Sequence, residues 1–330
     1  MISVTNLVKE YRAQARTVRA LDDVTLSVPG GEIHGLIGHS GAGKSTLVRC
    51  LAGLDRPTSG NIVIDDEDLT TASAARLRSA RRRIGLVFQH ANLFDARTVV
   101  GNVAYPMLIA GTARKQAYAR AEELLERVGL KDAAKVYPAQ LSGGMRQRVG
   151  IARALAVSPD VLLFDEPTSA LDPKTTDEIL ELITSLRSPK VAMLIITHEM
   201  HVVKQVCDSV SLLERGRIIE SGPLTEVVSS LRGKLSQQLL GVGRHEAVSG
   251  TLIDVLSRGA DAARPVIAHT SAQLGVELTI VAGSVEYLAG TTFSHLRLAV
   301  PEGTDAQQVI RALNEQGADA CLTSELAEVA

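Results

Sequence analysis

Four short apolar runs punctuate the N-terminal two thirds of the chain: EIHGLIG at 32–38, RIGLVFQ at 83–89, VLLFDEP at 161–167 and VAMLIITH at 191–198. Each is of strand length, and none shows the in-out alternation of a half-solvated strand. Amphipathic stretches separate them; 39–53, HSGAGKSTLVRCLAG, carries its apolar residues at helical spacing. Fully apolar strands with intervening helices predict a parallel sheet covered on both faces. Ligands of such sheets gather at the C-terminal strand ends. The polar residues at those ends are Gln89, Asp165, Glu166 and His198, so the pattern predicts that they converge.

The pattern lapses at 240–250, LGVGRHEAVSG. Residues 241–250 read as a linker between a first domain, 1–240, and a second, 251–330. Beyond it the spacing predicts a strand at 251–256, a helix at 262–274, strands at 276–287 and 292–300, a helix within PEGTDAQQVIRALNEQG, and a last strand near 320–323. The order βαββαβ is that of a ferredoxin-like α+β domain. A length of 330 residues agrees with two domains.

Composition alters this picture in a few places. Aromatics make up only 3% with no Trp, so the core is built from Ala, Val, Leu and Ile. A net charge of −2 argues against a protein that coats nucleic acid. Beyond residue 250 there are 10 acidic and 4 basic side chains, so the two domains differ in surface charge. Cys50, Cys207 and Cys321 are scattered and form no CxxC, which reads as buried thiols in a reducing compartment. The N-terminal MISVTNLVKEYR lacks a signal peptide's apolar stretch, and no run of 18 apolar residues occurs. The expectation is a cytosolic protein that can dock on a membrane protein. The arginines at 81–83 read as a solvated helical face, not a nucleic-acid patch.

The chemistry concentrates at 38–46, GHSGAGKST, which fits G-x-x-x-x-G-K-[ST] between a predicted strand and a predicted helix. Gly38, Gly41 and Gly43 let backbone N–H groups turn inward around phosphate oxygens, and the helix N-terminus adds partial positive charge. His39, Ser40 and Ala42 complete the loop. Lys44 is suited to the β/γ-phosphates, Ser45 to a Mg²⁺ ion, and Thr46 follows on the helix. Asp165 at a strand end is suited to the same Mg²⁺, and Glu166 to polarising an attacking water. A second glycine-bearing helix start, LSGGMRQR at 141–148, offers the Ser142 hydroxyl and the Gly143 and Gly144 amides to a further phosphate.

GHSGAGKST, Gln89, LSGGM, VLLFDEP, SALD and His198 occur in the order and rough spacing of the ATP-binding subunits of ABC transporters. The chain resembles that family over 1–240. The resemblance implies a P-loop NTPase fold of the ABC ATPase type, with a homodimer sandwiching two ATP molecules. Ser142, Gly143 and Gly144 would then face the ATP of the partner subunit. It further implies that Tyr11 stacks on adenine, that Gln89 senses Mg²⁺ and links to the membrane subunit, that His198 contacts the γ-phosphate, and that Asp172 lies at the dimer seam. Met145 departs from the Gln most common there. The contacts come from its neighbours, so activity is expected to survive.

IGHSGAGKSTLVRCLAGLDRPTSG, IGLVFQHANLFDARTVVGNVAYPM and SALDPKTTDEIL narrow the resemblance to the ATP-binding subunits of methionine importers, which carry a C-terminal regulatory (NIL-type) domain. The implied partners are an integral membrane permease and, through it, an extracellular substrate-binding lipoprotein; the implied location is the cytoplasmic face of the membrane. Leu93 and Phe94 would meet a cytoplasmic helix of the permease. Methionine bound to the tail would inhibit transport, with Thr279 in ELTIVAG at the expected ligand position. Two alternatives stand beside this: an importer of another amino acid or small peptide, and a non-transport ABC ATPase in envelope release or division.

Overall fold

The computed structural model describes residues 1–13, 16–242 and 250–327. The chain opens with two long antiparallel strands, β1 (Ile2–Ala13) and β2 (Arg16–Val28). β3 (Ile33–Ile37) follows, and β4 (Ser59–Ile64) and β5 (Glu67–Asp68) extend the first sheet in the order β2-β1-β4-β5. β6 (Ile84–Val87), β7 (Val161–Asp165), β8 (Ala192–Thr197), β9 (Ser209–Glu214) and β10 (Arg217–Pro223) build a second sheet around β3, in the order β10-β9-β3-β8-β7-β6.

The four apolar runs are β3, β6, β7 and β8, and they pair in parallel, as their lack of alternation predicts. Every residue of β3 and β8 is buried, as are the first four of β7. The register aligns Ile37 with Thr197 and Asp165 with Ile196. The chain therefore leaves β3, β7 and β8 at one level, on one edge of the sheet. Three further helices, Val99–Ile109, Arg114–Arg127 and Gly143–Leu155, pack on one another.

The arginines at 81–83 are more than a solvated face. Arg81 donates to the Gly53 carbonyl, and Arg83 reaches Asp160 at 2.5 Å and Asp65 at 3.2 Å. Two of the three thus tie the end of helix Ala74–Arg81 to the surrounding loops. All three cysteines are buried and free, as their scatter suggested.

The chain's packing divides it into Met1–Ile219 and Glu220–Ala330. In the second unit, β11 (Thr251–Arg258), β12 (Thr279–Leu288), β13 (Thr291–Val300) and β14 (Asp319–Leu322) form an antiparallel sheet in the order β12-β13-β11-β14. Helices Val266–Leu274 and Ala306–Glu315 complete the βαββαβ order and close a core of Ile253, Val255, Leu298, Val300, Val309 and Leu313. The first of these helices starts at Val266 and not at 262, because Pro265 disfavours helical geometry in the residue before it. Residues Gly259–Ala263 form a 3₁₀ turn instead. The second helix starts where Asp305 accepts from the Gln307 amide.

Residues 220–240 also belong to this second unit, although the sequence-based boundary falls after them, at 240. The Glu220 carboxylate accepts from the Lys234 and Leu235 amides at 2.8 Å and so caps the helix Lys234–Leu240. The Leu231 amide donates to Asp319. Of the linker expected at 241–250, residues 243–249 lie outside the described residues.

The sheet holds a fully buried carboxylate, Asp254. It accepts from His295 Nε2 at 2.8 Å, from both Nε and Nη2 of Arg297 at 3.2 and 3.1 Å, and from the Thr323 hydroxyl. His295 Nδ1 in turn donates to the Leu240 carbonyl at 2.7 Å. Burial pushes the Asp254 carboxyl up, but donors from His295, Arg297 and Thr323 outweigh it and hold the group below its ordinary value. Stability from this carboxylate is therefore complete above about pH 4 and drains as pH falls towards the depressed folded value. Asp254→Asn should lower the unfolding free energy in urea by about 3 kcal/mol at pH 7, because it removes the buried negative charge to which Arg297 and His295 donate. It should also flatten the acid limb of the stability profile.

Candidate functional site

The loop between β3 and the helix Lys44–Leu51 turns where only glycine fits. Gly43 has φ 110°, and a Cβ there would lie 2.5 Å from the Ala20 carbonyl oxygen. It is also the helix N-cap and gives no side-chain cap, so the amides of the first turn are left to a ligand. Lys44 folds back across the loop, its Nζ donating to the carbonyls of Gly38 at 2.6 Å and His39 at 3.1 Å. Burial lowers the Lys44 pKa, while Glu166 and Asp165 act through space to raise it.

A cavity of about 710 Å³ lies over this loop. His39, Ser40, Gly41, Gly43, Lys44, Ser45 and Thr46 line it from one side, Glu166 and His198 from the other. The sequence-predicted convergence of strand ends is thus realised for two of its four members. Asp165 stands immediately before Glu166, half-buried, its pKa raised by burial and then by the Glu166 charge, against the pull of Lys44. Gln89 is exposed just past β6 and does not line the cavity. Gly38 and Ala42 stand behind the loop: a Cβ on Gly38 would meet the Leu213 carbonyl at 2.4 Å, and Ala42 borders a smaller neighbouring cavity.

His198 Nδ1 lies 3.1 Å from Glu166 Oε1, a donor–carboxylate hydrogen bond across the mouth of the site. Glu166 adopts a left-handed backbone, φ 47°, with its amide bonded to the Ile196 carbonyl at 2.9 Å.

The remaining wall comes from residues without a motif: Val18, Arg19 and Ala20 on β2, with Arg215 and Gly216 in the β9–β10 turn. Gly216 joins these parts, donating to the Ala42 carbonyl and accepting from the Asp22 amide. Nothing local in the sequence marks these residues; they arrive through sheet pairing. Tyr11 stands outside the cavity lining, 38% exposed. Its hydroxyl donates to Asp55 at 2.8 Å and the Lys9 ammonium lies 4.8 Å from its ring centroid.

Ser142 caps the helix Gly143–Leu155, its hydroxyl accepting from the Met145 amide. It is exposed, whereas Gly144 is buried so tightly that a Cβ would lie 2.3 Å from Thr175 Cγ2. Asp172 caps the next helix, Pro173–Ser185, accepting from the Thr175 amide and hydroxyl, which hold its carboxyl below the usual range. Ser142, Gly143, Gly144 and Asp172 do not line the cavity of their own chain. In the second unit Thr279 is the exposed first residue of β12; its neighbours Leu278 and Ile280 border a cavity of about 400 Å³ beside helix Val266–Leu274.

A further cavity in the first unit, of about 500 Å³, is bordered by Phe94, Tyr105, Ile109 and Arg153. Phe94 and Tyr105 meet edge to face at 4.7 Å. The loop that carries Phe94 is clamped by the fully buried Asn102, which accepts from the Phe94 amide and donates to the carbonyls of Phe94, Arg97 and Thr98.

This geometry has close counterparts. The family described as ABC transporter matches residues 21–169, and the NIL domain matches residues 251–320. The methionine import ATP-binding protein of Symbiobacterium thermophilum is 46% identical over 327 residues, covering 96% of this chain and 98% of its own. The chain belongs to the methionine import ATP-binding protein family of ABC transporter ATPases. Among solved structures, the ATP-binding cassette MJ0796, a dimer in a post-hydrolysis state bound to ADP and Pi, is 34% identical with a TM-score of 0.63; the match covers 68% of this chain and 99% of that one. The cbiO1 protein of Clostridium perfringens, part of the ABC transporter complex cbiONQ, is 29% identical with a TM-score of 0.61, covering 72% and 96%. Within this ABC ATPase fold, Gly43→Ala is expected to weaken nucleotide binding by about tenfold or more, since it adds left-handed strain to a backbone clash. Titration with a fluorescent ATP analogue checks it.

Proposed function

We propose that this chain is the ATP-hydrolysing subunit of an importer that takes up methionine, working as a homodimer on the cytoplasmic side of a membrane permease. The observation that carries the proposal is the single cavity lined by Lys44, Ser45, Thr46, Glu166 and His198. The phosphate loop binds the β- and γ-phosphates through its amides and Lys44. Glu166 takes the proton of the attacking water as general base, and His198 holds Glu166 in place while reaching the γ-phosphate. Ser142 and the amides of Gly143 and Gly144 complete the site of the partner subunit, with Asp172 at the seam. Tyr11, its ring fixed through Asp55, stacks on the base.

Ser45 and Asp165, with Gln89, are the residues to hold Mg²⁺. Ser45 and Asp165 fit this role by their chemistry: Lys44 gives its hydrogen bonds to backbone carbonyls and acts on Asp165 and Glu166 only through space. Among the described residues no three or more His, Cys, Asp or Glu are grouped to hold a metal, which suits an ion that takes phosphate oxygens as further ligands. When bound, Mg²⁺ neutralises charge on the phosphates.

No helix among the described residues is long and apolar enough to cross a membrane. The cavity bordered by Phe94, Tyr105 and Ile109 receives a cytoplasmic helix of the permease, and an extracellular substrate-binding lipoprotein delivers methionine to that permease. The second unit binds methionine, with Thr279 at the rim, and the bound form restrains hydrolysis; only differential affinity for two states can drive such a switch.

Glu166→Gln should retain ATP affinity while reducing turnover by at least about 100-fold, and should favour an ATP-bound dimer. Steady-state hydrolysis together with size-exclusion chromatography reads both; near-wild-type turnover would remove Glu166 as the base. In the reassembled complex, millimolar methionine on the cytoplasmic side should lower ATPase activity by about 5-fold or more. An unresponsive rate, alongside a flat calorimetric trace with the full chain, would exclude the regulatory role.

A further inference from the structure

Glu166 and His198 follow adjacent strands, and a residue just beyond each bonds to its counterpart just beyond the other. Two positions beyond Glu166, Thr168 is 1% exposed, and its hydroxyl donates to the carboxylate of Glu199, the neighbour of His198. Glu199 occupies the N-cap of the helix Met200–Val206 but makes no side-chain cap. Its carboxylate is turned away from the helix amides that would ordinarily attract an N-terminal anion and towards Thr168. Its own amide donates to the buried Thr197 hydroxyl at 2.9 Å, which fixes the turn that carries His198.

These bonds close a ring. It runs from Glu166 through Pro167 to Thr168, across to Glu199, back to His198, and across again to Glu166. Glu166 sits at its most demanding point, in a left-handed conformation directly before a proline. A non-glycine residue persists there only when its surroundings over-determine it. The Glu166 amide bond to Ile196 supplies one restraint, and the Thr168–Glu199 bond supplies the other from the far side of Pro167.

We infer that Thr168 and Glu199 are positioning residues for hydrolysis, locking the Glu166–His198 pair through a hydrogen bond between residues that do not line the cavity. The inference rests on the proposed roles of Glu166 and His198. It predicts a loss in turnover rather than in binding, because the phosphate loop lies on a different strand end.

The test is steady-state ATPase kinetics of the full chain with Mg–ATP, with melting curves on each variant. Thr168→Val, which keeps the shape and removes the donor, should lower kcat by about 10- to 100-fold with KM changed by less than about twofold. Thr168→Ser, which keeps the hydroxyl, should stay within about threefold of wild type, and Glu199→Ala should match Thr168→Val. In the double variant the losses should not multiply, since both remove one interaction. Wild-type kcat in Thr168→Val, failure of Ser to rescue, or multiplying losses would each overturn the inference. Should Thr168→Val not fold, half-buried Glu199→Ala carries the same test alone. Glu166→Gln run in parallel separates the readings: if it still turns over, the general-base role fails; if it is dead while Thr168→Val is normal, only the positioning role fails.

Discussion

The backbone register of three buried parallel strands is the constraint on which the rest of the first unit depends. β3 lies against β8 and β8 against β7, with Ile37 opposite Thr197 and Asp165 opposite Ile196. The residues that follow, from the phosphate loop to Glu166 and His198, therefore emerge at one height without further adjustment. A slip of one residue would exchange the faces of every side chain on a strand. Here both faces are buried, so the register is held by packing on each side, and the ladder bonds run through an interior from which water is excluded.

The segment at 141–148 shows how a glycine-bearing helix start is shaped by bonds within its own chain. Ser142 and Asp172 each cap a helix, and Gly144 lets the first of those helices approach Thr175 on the second. These bonds give the segment its shape locally. Met145 contributes its amide to Ser142, a bond any residue but proline could make, so its departure from the family's usual glutamine leaves the cap unaltered. The side chain is half-buried and its identity bears on packing, not on the amides presented at the helix start.

What could be read from the sequence divides along the range of the interactions. Local signals sufficed for the phosphate loop, for the four apolar strands and for the helix within PEGTDAQQVIRALNEQG, because each is written in consecutive residues. Long-range pairing hid the rest. Val18, Arg19 and Arg215 reach the cavity only because β2 and the β9–β10 turn fold over the loop, and no periodicity marks them. Residues 220–240 look like a continuation of the first unit until Glu220, Leu231 and Leu240 are seen bonded within the second. Arg81 and Arg83 look like solvated charge until their acceptors, distant in sequence, are known.

Backbone strain also calls on distant groups. Glu166, Ala91, Asn92 and Arg215 adopt left-handed conformations beyond strand ends, while Asn6 and Asp23 do so within β1 and β2. Each such residue costs about 1–3 kcal/mol, so a fold carries them only where neighbours hold them. Arg153 donates to the Ala91 and Asn92 carbonyls, and burial lowers its pKa from the ordinary value. The Ile196 carbonyl holds the Glu166 amide. In both places a strained turn is clasped by a group from a neighbouring element, not by its own sequence. A turn relaxed in isolation would drift with solvent, whereas one held against its preference moves only with the element that clasps it. The helix Gly143–Leu155 carries the Ser142 cap at one end and Arg153 near the other, so one element is bonded both to the glycine-bearing segment and to the loop that bears Phe94.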